Sequence, residues 1–258
     1  METLTPPIAP PPAEYPRGAP EPRRLPAGEG VTFWSEAWRI FSAAPGVWIL
    51  ILIVYVVIAV VLGLIPVVGN IAHIVLTPVF TGGAMLGCHA LARGEPLTLG
   101  HLFAGFQDRR FGPLAVLGLM LLALTILFGI VMFFGLLMTF GMSGLSALSR
   151  QSDPLAFLGA IGGGFFALVA IGLVGGFLIA MAYWFAPALV VLNGEEPLMA
   201  LRKSFSANVE NVGAFLIYGL IYIGLAILAT MPLGLGWIVL APMIVGSCYA
   251  GWRQIFGH

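Results

Sequence analysis

Residues 40–92 read IFSAAPGVWILILIVYVVIAVVLGLIPVVGNIAHIVLTPVFTGGAMLGCHALA and contain no Asp, Glu, Lys or Arg. One helix crosses the ~30 Å hydrocarbon core of a bilayer with ~20 apolar residues. This run is too long for one crossing and long enough for two. It breaks at Pro66-Val67-Val68-Gly69-Asn70, where a proline and a glycine interrupt the helix, so it predicts spans of about 46–66 and 71–92. Three further runs lack charge: 111–149, 154–194 and 211–252. They predict spans of about 113–138 and 166–192, then a pair, 212–231 and 233–252, hinged at Met231-Pro232-Leu233-Gly234. Backbone polar groups in hydrocarbon must bond internally, which forces helices. The alternating pattern of a membrane barrel is absent. The expected fold is all-α: a polytopic membrane protein with six transmembrane helices.

Composition points the same way. Of 258 residues, 60% are hydrophobic and 9% charged, against about 25% charged in a soluble domain, and mean hydropathy is +1.03. A soluble enzyme, a nucleic-acid binder and a disulfide-stapled secreted domain are excluded. Cys88 and Cys248 lie in apolar segments without CxxC spacing, so neither a metal nor a cofactor is expected. Net charge is zero, but its placement is informative. Arg17, Arg23, Arg24, Arg39, Arg93, Arg109, Arg110, Arg202, Lys203 and Arg253 fall on one side of a six-span layout, and Arg150 alone on the other. Cationic loops resist translocation, which predicts a bacterial inner-membrane protein with both termini cytoplasmic. Residues 1–30 contain nine prolines and read as a disordered, proline-rich cytoplasmic tail ahead of a membrane domain over 31–258.

A short segment with helical periodicity precedes spans one, three and five. The first carries Phe33, Trp34, Ala37 and Phe41 on one face, with Thr32 as its expected N-cap and Trp38 beside it. The second carries Leu99, Leu102, Phe103 and Phe106; the third follows Pro197 with Leu198, Leu201 and Phe205, flanked by Arg202 and Lys203. Such helices lie in the headgroup plane. Trp34, Trp38, Phe41, Phe103, Phe106, Arg202, Lys203 and Phe205 are therefore the expected interfacial anchors, with membrane lipids as partners. Trp48, Tyr249 and Trp252 complete an expected aromatic belt on the same side.

At an offset of 164 residues, Phe41-Ser42-Ala43 recurs as Phe205-Ser206-Ala207 and Ile74-Val75-Leu76-Thr77-Pro78 as Ile238-Val239-Leu240-Ala241-Pro242. The repeating unit is an interfacial helix plus a hairpin of spans, in three parallel copies, the middle one carrying an insert at about 139–163. Ala37-Trp38-Arg39-Ile40-Phe41 leading to Pro45-Gly46-Val47-Trp48, Gly94-Glu95-Pro96-Leu97, His101-Leu102-Phe103-Ala104-Gly105-Phe106 and Trp184-Phe185-Ala186-Pro187-Ala188-Leu189 resemble a family of uncharacterised six-helix inner-membrane proteins of proteobacteria. So do Pro232-Leu233-Gly234-Leu235-Gly236 and Tyr249-Ala250-Gly251-Trp252-Arg253. The similarity covers about 27–257, and more distantly it extends to the membrane domain of glycerophosphodiester phosphodiesterases. It implies architecture and carries no catalytic residues.

Intramembrane ionisable groups usually mark transport or proton relay, and only His73 and His89 lie within spans. Arg150 and Asp153 sit close enough in the insert to pair locally. Gly83 with Gly87, Gly159 with Gly163 and Gly172 with Gly176 have the spacing of close helix packing, within the bundle or in a dimer. Pro78, Pro187 and Pro242 fall one in each even-numbered span. Each frees a carbonyl four residues back, so with Thr77, Tyr183 and Ser247 they could frame a cavity at mid-membrane. No nucleophile–base pair or carboxylate pair accompanies them, so an enzyme is not expected. The expected function is a structural, accessory or regulatory membrane component, with a protein partner or a homodimer as the partner. The alternative is a carrier or lipid-handling protein with an apolar cavity at the proline kinks. A lipid-accessible groove between spans two, four and six would favour the alternative.

Overall fold

A computed structural model describes residues 18–149 and 154–257, with Asp108, 142–149 and 154–162 described by backbone alone. Among the described residues every regular element is helical. They are α1 (Glu29–Ala43), α2 (Pro45–Gly63), α3 (Val68–Ala92), α4 (Gly100–Phe103) with two 3₁₀ turns, α5 (Phe111–Ser149), α6 (Pro154–Trp184), α7 (Ala186–Asn193), α8 (Pro197–Glu210), α9 (Val212–Thr230) and α10 (Trp237–Phe256). Among the described residues five stretches are long and apolar enough to cross a membrane: Pro45–Gly63, Val68–Ala92, Phe111–Gly141, Gly163–Asn193 and Val212–Thr230. The expected sixth span at 233–252 corresponds to α10, whose last turns carry Tyr249, Trp252, Arg253 and Gln254 and dilute its hydropathy.

Local chemistry explains the breaks. Pro45 opens α2 and pushes Ala44 out of the helical region, to φ −152°, ψ 58°. At the hairpin between α2 and α3, Val67 has φ 61°, ψ −63°, and the Val68 N–H reaches the Pro66 carbonyl at 2.7 Å. This is a γ-turn of the strained hand. The α9–α10 turn also sets a residue of positive φ, Leu233 at 54°, after a proline. Gly194, at φ 65°, ends α7.

The core is built from α1, α3, α7 and α10. Every residue of α7 is buried. In α2 only Trp48 and Ile51 are buried, while Ile53, Val57, Val60 and Val61 face outward, as suits a helix apolar all round in an apolar solvent. Helix α1 begins at Glu29, ahead of the expected cap Thr32, and wedges between α9 and α10. A Cβ at Gly30 would stand 2.2 Å from the Ala214 carbonyl oxygen of α9, so backbone lies on backbone there.

The insert expected at about 139–163 is a continuation of two helices, α5 and α6. Thr139 packs on Gly164, Leu168 on Gly135, Met132 on Gly172 and Phe128 on Gly175, an antiparallel zipper in constant register. Gly118 of α5 sits against the Val75 backbone of α3. From that crossing α3 reaches seven residues to Val68 and α5 thirty-one to Ser149. The α5–α6 hairpin therefore outreaches the start of α3 by roughly 36 Å at 1.5 Å per residue. The expected pair Arg150 and Asp153 lies outside the described residues, as does Gly159 beyond its backbone.

The expected free tail divides. Residues 1–17 lie outside the described residues, and 18–28 run as an extended strap across one end of the bundle. The Gly18 N–H donates to the Asn193 carbonyl (3.2 Å) and the Arg23 N–H to the Ile255 carbonyl (3.1 Å). The Ala19 N–H donates to Glu195 Oε1 (2.5 Å), and Lys203 Nζ donates to the Ala19 carbonyl. The Asn211 amide accepts from the Leu25 N–H (2.7 Å) and donates to the Arg23 carbonyl (3.0 Å). Ala19 is buried.

Candidate functional site

A groove of about 370 Å³ lies between α6 and α9, open to the flank of the bundle. This volume lies in the range of ligand pockets. Phe177, Ala180, Met181 and Trp184 form one wall, Val212, Phe215, Leu216, Gly219, Leu220 and Ile223 the other, and Asn208 and Tyr218 the floor. The rim residues Phe177 and Leu220 are 63% and 70% exposed.

The floor is polar in composition but spent in bonding. Asn208 Nδ2 donates to the Met181 carbonyl (3.0 Å) and the Ser204 carbonyl (2.8 Å). The Tyr218 and Ser247 hydroxyls pair at 2.9 Å, and Ser247 donates to the Ile244 carbonyl. The Tyr218 ring stacks on Trp34 at 4.8 Å and meets Trp184 edge-on at 5.7 Å. What the groove presents is hydrocarbon on a rigid aromatic base.

Its shape follows from a break in the fourth expected span. Pro187 cannot donate a backbone hydrogen bond, and the chain ends α6 at Trp184 and restarts as α7. The groups left over are taken up by α8: Ser204 Oγ donates to the Met181 carbonyl (2.8 Å) and accepts from the Phe185 N–H (2.9 Å). Ser204, Asn208 and Asn211 are all buried and spaced i, i+4, i+7, one polar stripe on one helix face. A search for charges in apolar runs passes over that stripe. The spacing in the sequence would have found it.

The structure does not gather the expected mid-membrane cavity into one place. Pro78, Pro187 and Pro242 are buried. Of the six positions Pro242 lines a recess of about 140 Å³ among α2, α3 and α10, and none of the six lines the α6–α9 groove. Thr77 Oγ1 donates to its own helix at the His73 carbonyl. Tyr183 places its hydroxyl, buried, beside Thr81 without hydrogen-bond geometry to it. Ser247 reaches the groove only through Tyr218. The large groove thus separates expected spans four and five, not two, four and six, because α9 leans on α1 rather than on α6.

The expected anchors also divide. Trp38, Phe103, Phe106, Arg202 and Phe205 face outward. Trp34 and Phe41 are 6% exposed, since α1 turns its apolar face into the crevice between α9 and α10. Lys203 is held in a shielded ion pair with Glu195 at 2.5 Å. Trp48, Tyr249 and Trp252 of the expected belt are interior. Gly83 and Gly87 receive the 97–102 loop. His73, His89 and His101 bond the hydroxyls of Tyr55, Tyr249 and Thr98. Among the described residues no group of three metal-ligating side chains occurs. Glu36 lies at the strap-bearing end, where burial raises its pKa. Hydrogen bonds and charge from Arg39 (2.7 Å) and Arg253 (2.8 Å) outweigh that and hold the carboxyl below its ordinary value.

The class these features define is the all-helical protein with several apolar, membrane-length helices. The chain is 27% identical over 255 aligned residues to a probable inner membrane protein of Burkholderia thailandensis, with 90% of this chain and 92% of that protein covered. No protein-family model matches the chain, and no solved structure matches it.

Proposed function

We propose that this chain is a non-enzymatic protein of the bacterial inner membrane, with six spans in three units and both termini in the cytoplasm, that holds the acyl chain of a membrane lipid in the α6–α9 groove. The observation that carries this reading is a recess of about 370 Å³, apolar on both walls and open sideways, with its floor polar groups already bonded. The only ionisable group in the lining is the Tyr218 hydroxyl, which Ser247 engages, so the groove offers contact and shape rather than reaction. The inner-membrane setting is supported by the relative's description. The repeat is supported by the two hairpins that both turn on a proline followed by positive φ. Lipid tails are as apolar as leucine, so retention here rests on packing rather than on escape from water.

Native mass spectrometry of the purified protein tests the reading. One lipid should stay bound at fixed stoichiometry. A Cβ at Gly219 meets nothing within 4 Å, so Gly219→Phe should fill the groove without disturbing the fold and release that lipid. Equal retention by the variant would remove the groove as the binding place.

A second reading, an accessory protein that associates through its long hairpin, is favoured by the reach of α5–α6. Phe134, Met138 and Phe166 are 60%, 70% and 73% exposed there, more apolar surface than a ~30 Å core covers for an upright hairpin of this length. Met138→Cys should crosslink two copies, or this chain to a partner, in native membranes. An exclusively monomeric, uncrosslinked product would count against it.

A further inference from the structure

We infer that the proline-rich strap at residues 18–25 is a latch on the groove, so that strap docking and lipid occupancy are one linked equilibrium; this rests on the acyl-chain reading of the α6–α9 recess. The link is a single helix. On one side, α8 and its C-terminal junction hold the strap through Lys203 and Asn211. On the other, α8 holds the broken fourth span through Ser204 and Asn208, which both donate to the Met181 carbonyl. Met181 and Asn208 are themselves groove residues. A shift of α8 cannot leave either side unchanged.

The strap side is built to be occupied. Glu195 is 8% exposed and its partner Lys203 is shielded. A buried ion pair is costly unless its remaining valences are bonded. The Ala19 N–H and carbonyl supply those bonds, one to each partner. Asn211, 2% exposed, reads the strap backbone two residues apart with both ends of its amide. Asn193, whose carbonyl takes the Gly18 N–H, is fixed from behind by the Trp252 indole at 2.8 Å. When the strap leaves, Glu195, Lys203, Asn211 and the Asn193 carbonyl lose their bonds to it together, while the Glu195–Lys203 pair and the Asn211–Ala207 bond stay within the bundle, which makes release a switch between two arrangements of α8 rather than a gradual loosening. The strap is held chiefly by its backbone, with the Ala19 and Leu25 side chains packed inward and Arg24 3.6 Å from Glu210 at the end of α8.

Trypsin reports the latch directly, because Arg23-Arg24 lies inside it. The full-length protein is delipidated in detergent, then reloaded from mixed micelles of phosphatidylethanolamine and phosphatidylglycerol. Bound lipid is counted by native mass spectrometry, and cleavage at Arg24–Leu25 is timed. The expected result is cleavage slower by about fivefold or more in the loaded protein, with the difference erased by Gly219→Phe. Coupling is reciprocal, so releasing the strap with Asn211→Ala should speed cleavage and lower lipid retention by a similar factor. Ala19→Trp, which crowds the docking site while leaving Glu195, Lys203 and Asn211 unsubstituted, does the same should Asn211→Ala not fold. Equal cleavage with and without bound lipid overturns the latch and leaves the groove reading standing. No bound lipid in the wild-type protein overturns both.

Discussion

At the scale of single residues, the structure concentrates its demands at turns and at shared polar contacts. Val67 is β-branched and holds a positive φ in a γ-turn, a conformation costing about 1–3 kcal/mol in a non-glycine residue. Val67→Gly should raise the melting temperature of the detergent-solubilised protein, part of the gain being offset by the extra freedom of glycine in the unfolded chain. No change would show that the turn relaxes at no cost. Glu36 shares one carboxylate oxygen between Arg39 and Arg253 and so ties α1 to the last turn of α10. A group with a depressed folded pKa contributes stability above its unfolded value and loses it as pH falls through the folded one. The contribution of Glu36 is therefore complete at neutral pH and fades below about its ordinary value of 4.5. For an exposed contact it is worth under about 1 kcal/mol. Thermal melts at stepped pH should show a smaller acid loss in Glu36→Gln than in the wild type. Identical profiles would mean that the pair contributes nothing.

At the scale of elements, the hairpins and the short helices were legible, and what covers the short helices was not. Pro66 to Asn70 and Met231 to Gly234 carry strong turn chemistry between uncharged runs, and the structure turns at both. The run Gly162-Gly163-Gly164, by contrast, reads as a weak point, yet α6 passes through it. Glycine costs a helix about 1 kcal/mol in water, but in an apolar setting an open backbone costs more, and Gly164 gives Thr139 room to approach. Helix α1 has the stripe of a helix lying on a membrane. Nothing in that stripe distinguishes lipid from protein as its cover, and the structure covers it with α9 and α10. The contact is backbone to backbone at Gly30, so Gly30→Leu should force α1 off α9 and cost several kcal/mol, in the range of a badly overpacked core. A cysteine at position 33, now 1% exposed, would then react with a soluble maleimide. Its continued protection would show that α1 can reseat.

At the scale of the whole molecule, the proposed orientation and number of crossings rest on charge placement, and both are open to a single labelling series. Among the described residues five helices meet the length and hydropathy of a span, and α10, the sixth in the proposed layout, is less apolar than these. The groove was not legible because it is no property of any one run: it exists where α9 leans toward α1 and α6 stays with α5. The proposed topology needs less, since it rests on the placement of the cationic residues alone. The native thiols Cys88 and Cys248 are buried, so an impermeant maleimide should ignore them and report only introduced cysteines. Leu64 and Leu233, at the two hairpin turns, are 76% and 98% exposed. Leu64→Cys and Leu233→Cys should react in spheroplasts with intact membranes. Ala27→Cys, exposed beside the strap, and a cysteine appended after His258 should react only after permeabilisation. Six crossings require these last two to behave alike, and five require them to differ. If both hairpin cysteines were instead shielded and both ends reactive, the cationic side would face outward, and the strap with its buried Glu195–Lys203 pair would sit where no cytoplasmic protein could reach it.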